Sequence, residues 1–122
     1  MPDGPFTAID HVQLAMPPGE ESKARHFFGE LLGMRELPKP PELAIRGGCW
    51  FASGPVQLHL GVEEDFRPAR KAHPAFRCPD YISLIARLKR HGVQVVEVKD
   101  IPGVQRCHLY DPFGNRIELI ST

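Results

Sequence analysis

Ile9-Asp10-His11-Val12 leads to Val56-Gln57-Leu58-His59, and His73-Pro74-Ala75-Phe76 leads to Arg116-Ile117-Glu118-Leu119. The two pairs repeat one chemistry. Each begins with a histidine at the head of a short apolar strand and closes on a ligand-type polar residue in a later strand. The separation is 46 residues from His11 to Gln57 and 45 from His73 to Glu118. Self-similarity of this kind outranks any single segment in reading a fold. If the halves fold alike and pair about a pseudo-two-fold, His11, Gln57, His73 and Glu118 converge on one point.

Around those stretches, both halves spell the same order of elements. From Phe6 to Met16 the chain alternates, with Ile9, His11, Gln13 and Ala15 on one face, as a strand does. Pro17-Pro18-Gly19 ends it, and Glu20-Glu21 suit a helix N-terminus. Ala24, Phe27, Phe28, Leu31 and Leu32 then form an apolar helical stripe that stops at Gly33. Short strands are predicted at Met34 to Leu37, Cys49 to Ser53 and Val56 to Val62. The second half restarts with a strand from His73 to Cys78. A helix opens at Asp80 as N-cap, presents Tyr81, Leu84, Ile85 and Leu88 on one face, and ends at Gly92. Val93 to Val98 is rich in β-branched residues. Val104 to Tyr110 and Arg116 to Ile120 make a hairpin around Asp111-Pro112-Phe113-Gly114-Asn115, where Gly114 supplies the positive φ.

Each half therefore reads as a βαβββ module: residues 6–62, a charged linker over 63–72, and residues 73–121. The fold class is α+β, one domain of two modules whose curved mixed sheet surrounds a cup-shaped cavity with the helices outside. A length of 122 residues suits a single domain with a modest core. Fifteen basic residues balance fifteen acidic ones, which argues against nucleic acid or an anionic membrane as partner. No apolar run approaches the roughly 18 residues of a membrane span, and Met1-Pro2-Asp3-Gly4-Pro5 is no signal peptide. Three cysteines, Cys49, Cys78 and Cys107, make no disulfide framework. The expectation is a cytoplasmic protein with buried or half-buried thiols.

Alternation decides which side chains see the cavity. Gln57 shares a face with His59, and His73 with Ala75 and Arg77. Arg106 goes with His108, and Arg116 with Glu118 and Ile120. A carboxylate in the middle of Arg-Ile-Glu-Leu-Ile is costly to desolvate unless a cation compensates it. Two imidazoles, that carboxylate and an amide oxygen suit a divalent metal ion: Zn, Ni, Co, Mn or Fe(II). Arg106 and His108 are candidates for binding an acidic group of a substrate. Trp50 and Phe51 are adjacent, so one of them must face the cavity.

At these residues the chain resembles the vicinal oxygen chelate superfamily, which includes glyoxalase I, methylmalonyl-CoA epimerase, extradiol dioxygenases, and the fosfomycin and bleomycin resistance proteins. The stretches that carry the resemblance are Ile9 to Val12, Ala24 to Met34 (ARHFFGELLGM), Val56 to Leu60, His73 to Phe76, and Tyr110 to Leu119 (YDPFGNRIEL). By position it implies metal ligands at His11, Gln57, His73 and Glu118, with His59 as the rival to Gln57 on the fourth strand. It implies a lyase or isomerase acting on a small oxygenated substrate through a metal-stabilised enolate. Glu118 and His59 are then the candidate catalytic groups, and a homodimer is expected. Two other chemistries come with it: an extradiol-type Fe(II) dioxygenase, and a metal-free small-molecule binder of the bleomycin-resistance kind.

Overall fold

The structure, a computed structural model, describes residues 3–122. Strand β1 (Val12–Met16) leads into a one-turn helix α1 (Glu21–Ala24), which continues as a π-helix over Arg25–Leu31. Next come β2 (Arg35–Leu37), a one-turn α2 (Pro41–Ala44), β3 (Cys49–Ser53) and β4 (Val56–Val62). The second module runs β5 (Ala75–Cys78), α3 (Tyr81–Arg90), β6 (Val95–Val98), β7 (Arg106–Tyr110) and β8 (Arg116–Ser121). The sheets have matching orders, β1-β4-β3-β2 and β5-β8-β7-β6. The first pair of each is parallel, as a βαβ crossover demands, and the others are antiparallel.

This is the two-module α+β architecture expected from the repeated pattern, with details the pattern did not contain. Hydrogen bonding divides the cup into two four-stranded sheets, and β1 and β5 keep free edges. His11 and His73 lie just ahead of their strands rather than within them. The apolar stripe over 24–32 is wound as a π-helix: Phe27 and Phe28 are buried neighbours, with Leu32 N–H donating to Phe27 O at 2.9 Å. The proline-rich break after Leu37 contains α2, with Pro41 in its first turn.

One core serves both modules. Met16, Phe28, Phe51, Leu58 and Leu60 of the first meet Leu88, Leu109 and Ile117 of the second in a single buried cluster. Helix α3 ends in a Schellman motif: Val93 N–H bonds Leu88 O at 3.0 Å, Gly92 N–H bonds Lys89 O at 3.1 Å, and Gly92 sits at φ +77°. At its start Asp80 occupies the N-cap but makes no side-chain bond there. Between β7 and β8 the predicted turn forms, with Gly114 at φ +93°. Asp111 Oδ1 accepts from the N–H groups of Phe113 and Asn115, both at 2.9 Å. Asn115 Nδ2 donates to Asp111 Oδ2 at 2.9 Å and to Ala15 O at 2.8 Å, and its Oδ1 accepts from Ala69 N–H at 2.9 Å. One buried amide thus ties the second module's hairpin to β1 and to the linker.

Candidate metal centre

Register sets which side chains meet. Glu118 lies in the middle of β8, flanked by Ala75 of β5 on one side and His108 of β7 on the other. His73, two residues before Ala75, returns to the same face. His73 Nε2 lies 2.9 Å from Glu118 Oε1, and His108 Nε2 lies 3.3 Å from that same oxygen. Arg106 holds Oε2 through NH1 at 3.0 Å, and its other amino group is paired with Asp100. Glu118 is only 5% exposed.

The proton inventory of this cluster is short of donors. His73 Nδ1 faces Lys71 O at 2.7 Å, and a carbonyl only accepts, so Nδ1 carries the hydrogen. In the neutral ring Nε2 then directs a lone pair at the carboxylate, and a proton or a metal cation has to lie between them. His108 Nε2 is buried with no hydrogen-bond partner. Burial pushes the Glu118 carboxyl up, but the hydrogen bond and charge of the Arg106 guanidinium are chief among the effects that outweigh it and hold the group below its ordinary value. A carboxylate that stays ionised, with a ring nitrogen of each of two imidazoles close to one of its oxygens, is the donor set of a divalent metal site. A histidine that donates its second N–H to a backbone carbonyl is also how metal-ligating imidazoles are usually oriented.

The equivalent positions in the first module hold different chemistry. Gln13 pairs with His59 as Ala75 pairs with Glu118, and Trp50 faces His59 as His108 faces Glu118. His59, not Gln57, is therefore the register counterpart of Glu118. His11 stacks on His59 with ring centroids 4.1 Å apart, and Trp50 stacks on His59 at 4.4 Å. His59 Nε2 lies 3.3 Å from Gln57 Oε1. Burial lowers the His59 pKa, and His11 pushes it the same way. Asp10 contacts His11 Nδ1 at 2.9 Å. Where the second module offers ligands, the first offers a slab of three stacked rings.

Of the residues singled out from the sequence, the fold brings His73, Glu118, Arg106 and His108 together on one sheet face. His11, Gln57 and His59 gather on the other sheet, and His11 lies outside the His73–His108–Glu118 group. The physical reason is the unpaired edge between β1 and β5. A cleft of about 710 Å³ opens there, lined by Ile9, His11, Val12, Gln57, His73 and Phe76 among others. Only His73 belongs to both the cleft and the cluster. The place of His108 beside Glu118 was implicit in the hairpin: once Tyr110 pairs with Arg116 across the turn, His108 must face Glu118. Trp50 is the member of the Trp50-Phe51 pair that faces inward, since Phe51 is wholly buried in the core.

The family model of the Glyoxalase/Bleomycin resistance protein/Dioxygenase superfamily matches residues 8–119. The chain belongs to that superfamily. A solved glyoxalase family protein from Bacillus anthracis is 46% identical and covers 98% of both chains, at a TM-score of 0.94. TnmS3, an antibiotic binding protein from Streptomyces sp. CB03234, is 27% identical over 95% of this chain and 98% of its own, at 0.72. The fosfomycin resistance protein FosX of Listeria monocytogenes shares the fold at 16% identity, with a TM-score of 0.75 over 96% and 94% of the two chains. No curated protein matches the sequence. For a member of the glyoxalase superfamily, a fold that commonly binds divalent metals, the cluster around Glu118 is a matching donor set. No helix among the described residues is long and apolar enough to cross a membrane.

Proposed function

We propose that this glyoxalase superfamily member is a divalent-metal-dependent lyase or isomerase acting on a small oxygenated compound. The observation that carries the reading is the approach of His73 Nε2 to Glu118 Oε1, at 2.9 Å with the imidazole hydrogen committed to the opposite nitrogen. A divalent cation, whether Zn, Ni, Co, Mn or Fe(II), would be held by His73 and Glu118 and would polarise a substrate carbonyl as a Lewis acid. Arg106 holds the far carboxylate oxygen and so keeps Oε1 turned toward the imidazoles. On the facing sheet His59 is kept neutral by burial. With its Nε2 hydrogen directed at Gln57, its Nδ1 is free to accept a proton from substrate carbon. His11 and Gln57 line the adjoining cleft, where they would orient the substrate's oxygens. Superfamily members often dimerise, and the free edges of β1 and β5 support a homodimer as part of this reading.

Metal analysis of protein purified without chelators tests the proposal. One equivalent of a divalent ion per chain, lost in Glu118→Gln, is the expected result. Protein that neither retains nor takes up such an ion overturns it. Air-sensitive iron in that position would move the chemistry to ring-cleaving oxygenation.

A second reading, a metal-free small-molecule binder, is favoured by one observation. Arg106 already neutralises Glu118, and three stacked rings beside a largely apolar cleft suit a planar ligand. Its relative TnmS3 is an antibiotic binding protein. Tight binding of planar aromatics by metal-free protein, with no metal uptake, is the outcome that selects it.

A further inference from the structure

We propose that Arg116 is an anion-binding residue, so that the substrate carries an acidic group, a carboxylate or a phosphate, beside the oxygens it presents to the metal. The inference rests on the metal-dependent reading above and deepens it by naming a substrate class. It also moves a role. The sequence pointed to Arg106 for an acidic group, but that guanidinium is already occupied by Glu118 and Asp100.

Three arginines among the described residues are half-buried, and they differ in what compensates them. Arg106 has its two carboxylates. Arg87 Nε donates at 3.1 Å to Leu31 O, a carbonyl at the C-terminal end of the π-helix, where the helix dipole favours a cation. Arg116 has neither. Its Nε and Nη2 donate to one neutral acceptor, the Tyr110 hydroxyl, at 3.2 Å and 3.1 Å. That oxygen is its only side-chain partner among the described residues. A partly desolvated guanidinium with no carboxylate beside it is an unbalanced charge, and an anionic ligand balances it.

Orientation and placement agree with that role. With Nε and Nη2 turned to Tyr110, the edge formed by Nη1 and the second Nη2 hydrogen is left unbonded, and such an edge takes two oxygens of an oxyacid in parallel. The backbone beneath it is fixed. Arg116 pairs with Tyr110 across β7 and β8, and its N–H bonds Ala69 O of the linker at 2.9 Å. Ile117 and Leu119 lie in the core, so Arg116 and Glu118 share the opposite face, two residues or about 7 Å apart along the strand. An acidic group held by Arg116 therefore lies a short chain of atoms from an oxygen bound near Glu118.

Two titrations of the full-length protein test this. In the first, chelator-treated protein receives inorganic phosphate at low ionic strength, followed by the Arg116 Nε–Hε signal in nitrogen-15 NMR spectra. A saturable shift of that signal is expected, and an unmoved signal overturns the proposal. In the second, calorimetry compares three probes on zinc-loaded protein. Acetohydroxamate chelates through two oxygens alone, malonate monohydroxamate adds a carboxylate, and phosphonoacetohydroxamate adds a phosphonate. The wild type should bind at least one acid-bearing probe tighter than acetohydroxamate by about tenfold or more, the worth of a charge-assisted pair. Which probe gains tells a carboxylate from a phosphate. Arg116→Met and Arg116→Gln, each checked by circular dichroism for retained fold, should lose that preference and bind acetohydroxamate within a few-fold of wild type. A wild type without the preference, or a folded variant that keeps it, overturns the proposal. A wild type that takes up no zinc defeats the metal-dependent reading instead, and the phosphate titration still decides for or against Arg116.

Discussion

Asn115 offers the sharpest test of how the two modules are held together. It is 1% exposed, and its one amide spans three parts of the fold. Nδ2 donates to Ala15 O of β1 and to Asp111 Oδ2, while Oδ1 accepts from Ala69 N–H in the linker. Asn115→Ala removes all three bonds. Leaving a buried donor or acceptor unpaired costs about 1–3 kcal/mol. Ala15 and Ala69 are only partly buried, so water recovers part of the loss, and Asp111 keeps its two backbone donors. A net destabilisation of about 3–5 kcal/mol follows, a large share of the 5–15 kcal/mol typical of a domain. Urea unfolding read by far-ultraviolet circular dichroism should show the midpoint falling with an unchanged m-value. Asn115→Asp, nearly isosteric, sets a second carboxylate against Asp111 and should cost at least as much at neutral pH. A loss below about 1 kcal/mol in Asn115→Ala would refute the argument that this amide clasps the modules.

Other expectations follow from local geometry. Gly29 lies within the π-helix, where an added Cβ meets only ordinary contacts with Phe51 at 3.8 Å and Met34 O at 3.9 Å. Gly29→Ala should therefore raise stability by about 0.5–1 kcal/mol in the same urea assay, through the loss of unfolded-state freedom. The Glu21 carboxyl is held below its usual value chiefly by the Gly48 N–H at 2.9 Å. A depressed carboxyl contributes stability that is present above its unfolded pKa, near 4.5, and is lost as pH falls through the lower folded value. Glu21→Gln should flatten the acid limb of a stability–pH curve, and an unchanged limb would contradict this. Burial raises the thiol pKa of Cys49, Cys78 and Cys107. With Cys49 1% and Cys107 0% exposed, a disulfide reagent at neutral pH should reach Cys78 first and the other two only on unfolding.

Much of this fold was legible because alternation and helical periodicity were repeated in the two halves. The faces of β4 and β8 follow from which residues are apolar: Leu58 and Leu60, and Ile117 and Leu119, point into the core as their spacing requires. Register was not legible from counting. The near-equal separations of 46 and 45 residues pointed to Gln57 as the counterpart of Glu118, but hydrogen bonding gives that place to His59. A count along the chain assumes loops of equal length between the modules, and α2 belongs to the first module alone. Whether four ligand-type residues meet depends on how one sheet edge approaches the other. No local pattern encodes that approach: β1 and β5 share a cleft instead of hydrogen bonds.

In the proposed function, one face of the second sheet holds a divalent cation on His73 and Glu118. Thermal unfolding with and without zinc tests it most directly, because a ligand bound only by the folded state stabilises it by about 2.7 kcal/mol at a hundred times its dissociation constant. For a chain of this length that corresponds to a rise of roughly 10 °C in Tm. The wild type should show that rise, and His73→Ala and Glu118→Gln should show almost none. Equal shifts in all three proteins, or no shift in the wild type at saturating zinc, would contradict it.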